Sequence, residues 1–202
     1  MPSAKPLPAT FFRRDTLAVC RELLGKNLCR AIGGEIARLP IIEIEAYDGP
    51  DDLASHASRG MTPRNKVMFE EGGVWYVYLC YGIHWMLNIV TGPKNFPGAI
   101  LIRGVGDLVG PGKVTKALRI TADFNGEPAE PKYGLWIDES GIEVPDHQVI
   151  KKPRVGVGYA GPMWAEKPYR FVWDRGAKPP YKNVTGVGEI KLARKIPSKN
   201  RV

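Results

Sequence analysis

A chain of 202 residues with 44% hydrophobic and 25% charged content has the composition of an ordinary globular protein, long enough to bury a substantial core. Its 29 basic and 21 acidic residues give a net charge of +8, which favours a polyanionic partner. Cys20, Cys29 and Cys80 form no Cys-x-x-Cys pair, which argues against a disulfide framework or a cysteine zinc site, and no stretch approaches the ~20 apolar residues that cross a bilayer. The amino-terminal stretch MPSAKPLPATFFRRD lacks the apolar core of a secretion signal, so the expected location is cytoplasmic, with no membrane partner.

In chain order, residues 1–10, with three prolines, are expected to be an irregular lead-in. Asp15 or Thr16 can cap a helix through CRELL that Gly25 stops. KNLCRAI and EIARLPIIEIEAY read as strands joined by a hairpin at Gly33-Gly34, with Pro40 marking an edge or a bulge. Thr62-Pro63 is placed as a helix cap and first turn leading into RNKVMF. Gly72-Gly73 opens VWYVYLCYGIHWMLN, an aromatic run suited to paired strands with a bend near Gly82. AILIRGV follows as a strand and GPGKVTKALRI as a short helix, and further strands are expected at YGLWI, PRVGVGYA and PYRFVW. Strands joined by hairpins with a few short helices predict an α+β fold with a mainly antiparallel sheet, in one domain spanning residues 1–202. Residues 176–202 carry seven Lys and Arg against Glu189 alone, a basic arm that is either solvated or a source of phosphate contacts.

Few residues can carry chemistry. Of the three histidines, His56 in ASHASRG has no partners at ligand spacing, so no metal site is expected. On a strand, Glu43, Glu45 and Tyr47 share one face and Ile42, Ile44 and Ala46 the other. That acidic face is either solvent-exposed or a site where a carboxylate acts as general base on water. Two carboxylates also raise a sugar hydrolase, although residues two apart on a strand lie on the same side of any substrate. In WYVYLCY the alternation sets Tyr76, Tyr78 and Cys80 against Trp75, Val77 and Leu79, and Tyr81 falls beside the glycine bend. Asn88 is an amide in an apolar run, either tying backbone groups or facing a ligand.

EIEAYDGPDDLASHASRGMTPRN, MFEEGGVWYVYLCYGIHWMLNIV, ILIRG, GPGKV and RVGVGYAG, taken together and in this order, resemble the alkyladenine (3-methyladenine) DNA glycosylase family. The resemblance runs from about residue 10 to about residue 173. It implies a curved antiparallel sheet like that of the carboxyl-terminal domain of methionyl-tRNA formyltransferase. It also implies a monofunctional glycosylase of base excision repair, monomeric and without cofactor, that hydrolyses the base–sugar bond of damaged purines in double-stranded DNA. On that resemblance Glu45 is the general base and Arg103 helps to hold it and the water. Tyr47 and His56 stack on the flipped base with Tyr78 on the other side, Asn88 rejects guanine, and Val155 lines the pocket. Tyr81 is the wedge in DNA, and Arg59, Thr62, Ile83 and Lys113 are further DNA contacts. Two departures stand out: a short VGDLV segment where many relatives carry an insertion, and Gly112 where some carry serine. A non-catalytic nucleic-acid-binding module is the competing implication, but it has no need of Glu45, His56 and Arg103.

Overall fold

The computed structural model describes residues 5–176. Within them the chain forms short helix α1 (Ala9–Phe12), helix α2 (Thr16–Leu23), and strands β1 (Asn27–Ile32), β2 (Glu35–Asp48), β3 (Trp75–Cys80), β4 (His84–Thr91), β5 (Gly98–Val105) and β6 (Leu108–Val109). Helix α3 (Pro111–Ala117), strands β7 (Leu135–Asp138) and β8 (Val149–Lys152), short helix α4 (Pro162–Ala165) and strand β9 (Arg170–Trp173) follow. The strands form one antiparallel sheet in the order β3-β4-β5-β2-β1-β7, with β6 on β5, β9 on β2 and β8 on β9. This is the expected α+β architecture, with a long central strand β2 that changes partners along its length.

Local chemistry explains most of the elements. Asp15 caps α2, its carboxylate accepting from the Ala18 N–H at 2.8 Å, and Gly25 leaves the helix at φ +84°. Asp15→Ala should therefore lower stability by about 1 kcal/mol; an unchanged urea midpoint would deny the cap any energetic role. The Gly33-Gly34 turn pairs Ile32 with Glu35, both glycines at positive φ. Register shifts follow Pro40, between Ile41 and Ile44, where β2 leaves β1 and takes up β5. The short VGDLV segment is the β5–β6 hairpin, pairing Val105 with Leu108 around Gly106.

Three expectations need correction, and one strand has no counterpart among them. The irregular lead-in ends at Pro8, because α1 begins at Ala9. Thr62 does not cap a helix: it exchanges hydrogen bonds with Asn65, and a 3-10 turn starts only at Lys66. PRVGVGYA is not a strand, since Gly156 adopts φ +78° and Gly158–Ala160 form a 3-10 turn. The strand at Val149–Lys152 was not expected from its mostly exposed, lysine-ended sequence. The basic arm beyond residue 176 lies outside the described residues.

Alternation along the strands divides the sheet into two faces. Ile44 and Ala46, Trp75 and Val77, Leu87 and Ile89, and Ile100 and Ile102 join the main core with Val19, Cys20 and Leu23 of α2 and Val114 of α3. Their neighbours Glu45, Tyr47, Tyr76, Tyr78, Asn88 and Arg103 face the other way, onto a cavity. Among the described residues, no helix is long and apolar enough to cross a membrane.

Candidate active site

Strand register creates the floor of this cavity. Tyr76 pairs with Asn88, Asn88 with Leu101, Leu101 with Glu45 and Glu45 with Arg170, one continuous row across β3, β4, β5, β2 and β9. The cavity has a volume of about 750 Å³, and the loop around Val155 and the segment carrying His56 complete its walls.

Glu45 is fully buried and well held. Its Oε1 accepts from the Val155 backbone N–H at 2.8 Å and lies 3.4 Å from Arg103 Nε, and its Oε2 accepts from the Tyr47 hydroxyl at 3.1 Å. Burial pushes its carboxyl above the usual range, against the opposing pull of Arg103, the Val155 N–H, the Tyr47 hydroxyl and Arg170. Such a carboxylate is a better base than an exposed one and still has donors to stabilise its ionised form. Glu43 is also buried rather than solvent-facing. It accepts from Arg103 Nε at 2.9 Å and from Arg170 at 3.4 Å. Both carboxylates share one guanidinium but only Glu45 of the two lines the cavity, unlike the flanking pair of a sugar hydrolase.

The aromatic side chains form two groups. His56 and Tyr78 meet edge-on with ring centroids 4.6 Å apart, and Tyr76 lies 5.2 Å from Tyr78. A stacked base needs about 7 Å between flanking rings, two van der Waals contacts of ~3.5 Å, so it cannot lie between His56 and Tyr78. The two rings form a single wall, which corrects the expectation that Tyr78 faces His56 across the base. Tyr47 belongs to a separate cluster with Ala54, Val157, Ala160 and Trp164. Burial raises the phenol pKa of Tyr47 and Tyr78, so both rings are neutral.

Tyr76 does more than pack: its hydroxyl lies 3.1 Å from His56 Nδ1, and among the described residues Nε2 has no hydrogen-bond partner. The surrounding protein and the Arg64 charge hold His56 below its ordinary pKa, hence neutral at pH 7. The available signal was its parity, since a tyrosine buried on the cavity face must pair its hydroxyl. Asn65 was also missed; its amide donates to His56 O at 2.8 Å and Gly60 O at 3.0 Å, bracing the His56 segment. Asn88 is buried, and its amide donates to Tyr76 O at 3.1 Å and Met86 O at 3.4 Å. Val155 is half exposed, and its backbone N–H, not its side chain, reaches Glu45.

At the cavity rim, Tyr81 is 93% exposed on the β3–β4 turn, at φ +50° beside Gly82 at +69°. Ile83 is exposed next to it, and the Ile83 N–H closes the turn on Cys80 O at 3.0 Å. Arg59, Thr62 and Lys113 are exposed and do not line the cavity. A side chain on Gly112 would come within 3.0 Å of the His84 ring, so this glycine admits the hairpin against α3. Among the described residues, no group of His, Cys, Asp and Glu is arranged to hold a metal ion.

The sequence profile described as Methylpurine-DNA glycosylase (MPG) matches residues 10–109 and 106–177, two segments that meet at the β5–β6 hairpin. The chain belongs to the methylpurine-DNA glycosylase family. Among its relatives, a protein of Anaeromyxobacter dehalogenans (strain 2CP-C) is 46% identical over 176 residues, covering 82% of each chain. One from Myxococcus xanthus (strain DK1622) is 41% identical over 182 residues, 85% of this chain and 91% of the relative. One from Psychrobacter cryohalolentis is 38% identical over 194 residues, 81% and 90%. Each bears the name "Putative 3-methyladenine DNA glycosylase". Membership of the methylpurine-DNA glycosylase family makes this chain a DNA glycosylase, a hydrolase of N-glycosyl bonds whose substrate is DNA.

Proposed function

We propose that this glycosylase removes 3-methyladenine and other modified purines from double-stranded DNA, and that Glu45 activates the water that attacks the sugar. The observation that carries the reading is the buried Glu45 carboxylate, held by Arg103 and the Val155 N–H on the floor of an aromatic cavity. A base stacked in duplex DNA is out of reach of such a floor and must be rotated out, at a cost of a few kcal/mol. Stacking of ~1–3 kcal/mol per ring offsets that cost, with Tyr47 on one side and the His56–Tyr78 wall on the other. Electron-rich rings favour cationic alkylated purines over normal ones. Asn88 has its amide committed to Tyr76 and Met86, and it excludes the exocyclic amino group of guanine. Tyr81 fills the gap left in the duplex, and Arg59, Thr62, Ile83 and Lys113 contact the DNA around it, in a monomeric enzyme.

The test is a duplex carrying 3-methyladenine, hypoxanthine or ethenoadenine, incubated with enzyme and then cleaved with alkali at abasic sites. Strand scission at a lesion is expected; no scission with any of the three would refute the reading.

The pH profile follows from the Glu45 environment. The base must be ionised, so excision falls as pH drops through the Glu45 pKa, which burial holds above the ordinary carboxylate value. On a cationic lesion such as 7-methylguanine, which departs without a proton, the acid limb of the single-turnover rate should sit above that ordinary value. A limb at or below it would contradict the assignment.

A further inference from the structure

Asp52 and Arg154 form a second buried ion pair, and both side chains are fully inaccessible. Arg154 Nη1 donates to Asp52 Oδ2 and to Ala46 O (the latter at 2.9 Å), and Nη2 donates to Asp52 Oδ1 at 2.8 Å and Trp164 O at 3.3 Å. Its guanidinium carbon lies 4.9 Å from the Tyr47 ring centroid. Asp52 in turn accepts from the Asp48 N–H and the Ala54 N–H, each at 3.1 Å. One pair thus joins the strand of Glu45 and Tyr47, the turn leading to His56, and the loop whose next residue, Val155, donates to Glu45.

A buried pair gains little net stability against its desolvation, and Arg154 Nε is buried without a partner among the described residues. What the pair does is fix position. We infer that Asp52 and Arg154 are positioning residues for hydrolysis, clamping the Val155 N–H onto Glu45. The inference rests on Glu45 being the general base. Of the other groups around Glu45, Arg103 from β5, Arg170 from β9, Tyr78 from β3, Glu43 from its own strand and Cys20 from α2 on the far face of the sheet make no hydrogen bond to the clamp, and Tyr47 keeps its own bond to Glu45.

Arg154→Lys keeps the charge and loses the two-pronged contact. Its single-turnover excision at saturating enzyme should fall about 10- to 100-fold, the cost of a reacting group displaced by about an ångström. Affinity for the lesion duplex should stay near wild type. The acid limb of the rate should move to higher pH, because the lost N–H donor had favoured the ionised Glu45. A rate loss uniform with pH, or an unchanged rate in a folded variant, would overturn the clamp. Asp52→Asn, of the same shape, carries the same test if Arg154→Lys does not fold. In the wild type the Val155 amide resonance should follow the Glu45 titration, and a pH-independent resonance would also overturn it. If Glu45→Gln is fully active, the general-base reading itself has failed; if Glu45→Gln is inactive but the clamp variants behave as wild type, only this inference has.

Discussion

Glu45→Gln should lower single-turnover base release by about 10²- to 10⁴-fold, the usual contribution of a general base. Lesion-duplex binding should persist, because the substitution leaves the stacking rings and the rim untouched. The amide retains the shape and one acceptor for the Val155 N–H, and Arg103 keeps its shorter contact with Glu43 at 2.9 Å. Loss of activity through unfolding is not expected at neutral pH, and the sign of the linkage shows why. The folded-state pKa of Glu45 is raised, so the native chain binds more proton than the unfolded one between the two values, and stability falls as pH rises through that window. A neutral amide escapes that loss. Glu45→Gln should therefore melt no lower than wild type at pH 7 while releasing almost no base. An active Glu45→Gln enzyme would remove Glu45 from the chemistry.

Tyr81→Gly should move function and stability in opposite directions. Tyr81 is the exposed tip of the β3–β4 turn and sits at φ +50°, a left-handed backbone that costs a residue with a side chain about 1–2 kcal/mol. Glycine takes that conformation freely, although its greater unfolded-state entropy returns part of the gain, about 0.5–1 kcal/mol. The fold should come out unchanged or up to ~1 kcal/mol more stable by denaturant titration. Capture of the lesion duplex should weaken by the stacking worth of one ring, ~1–3 kcal/mol or roughly 5- to 150-fold. Equal lesion-duplex affinity of the two proteins would strip Tyr81 of the wedge role, and a large loss of stability would mean the ring packs at home rather than in DNA.

The two-residue period of the strands was readable in the chain and grouped Glu45 with Tyr47 and Tyr76 with Tyr78, but it did not say that these shared faces line a cavity. Glycine and proline punctuation located the hairpins at Gly33-Gly34 and Gly82 for the same reason: each marks a backbone state that few other residues adopt. What stayed hidden depends on contacts between distant segments. Nothing local in RVGVGYAG says that Val155 would offer its N–H to Glu45, or that Arg154 would bury itself against Asp52, 102 residues away. Nor could sequence spacing say that His56 and Tyr78 meet edge-on, since one rides on a turn and the other on a strand. The apolar-looking PRVGVGYA misled because its glycines serve turns rather than a pleat.

The row from Tyr76 to Arg170 has a practical meaning for altering the enzyme. Its residues are laced by the backbone ladder of five strands, so the Glu45 end of the site has little freedom to drift. His56 instead rides on turns braced by Asn65 and Asp52. On the roles proposed for Glu45 and His56, chemistry and recognition are thus mounted on parts of unequal stiffness. Variation between residues 53 and 65, with the Asp52–Arg154 pair kept, can reshape the set of bases admitted while the Glu45 end stays in register, which makes that segment the place to seek variants with altered lesion scope.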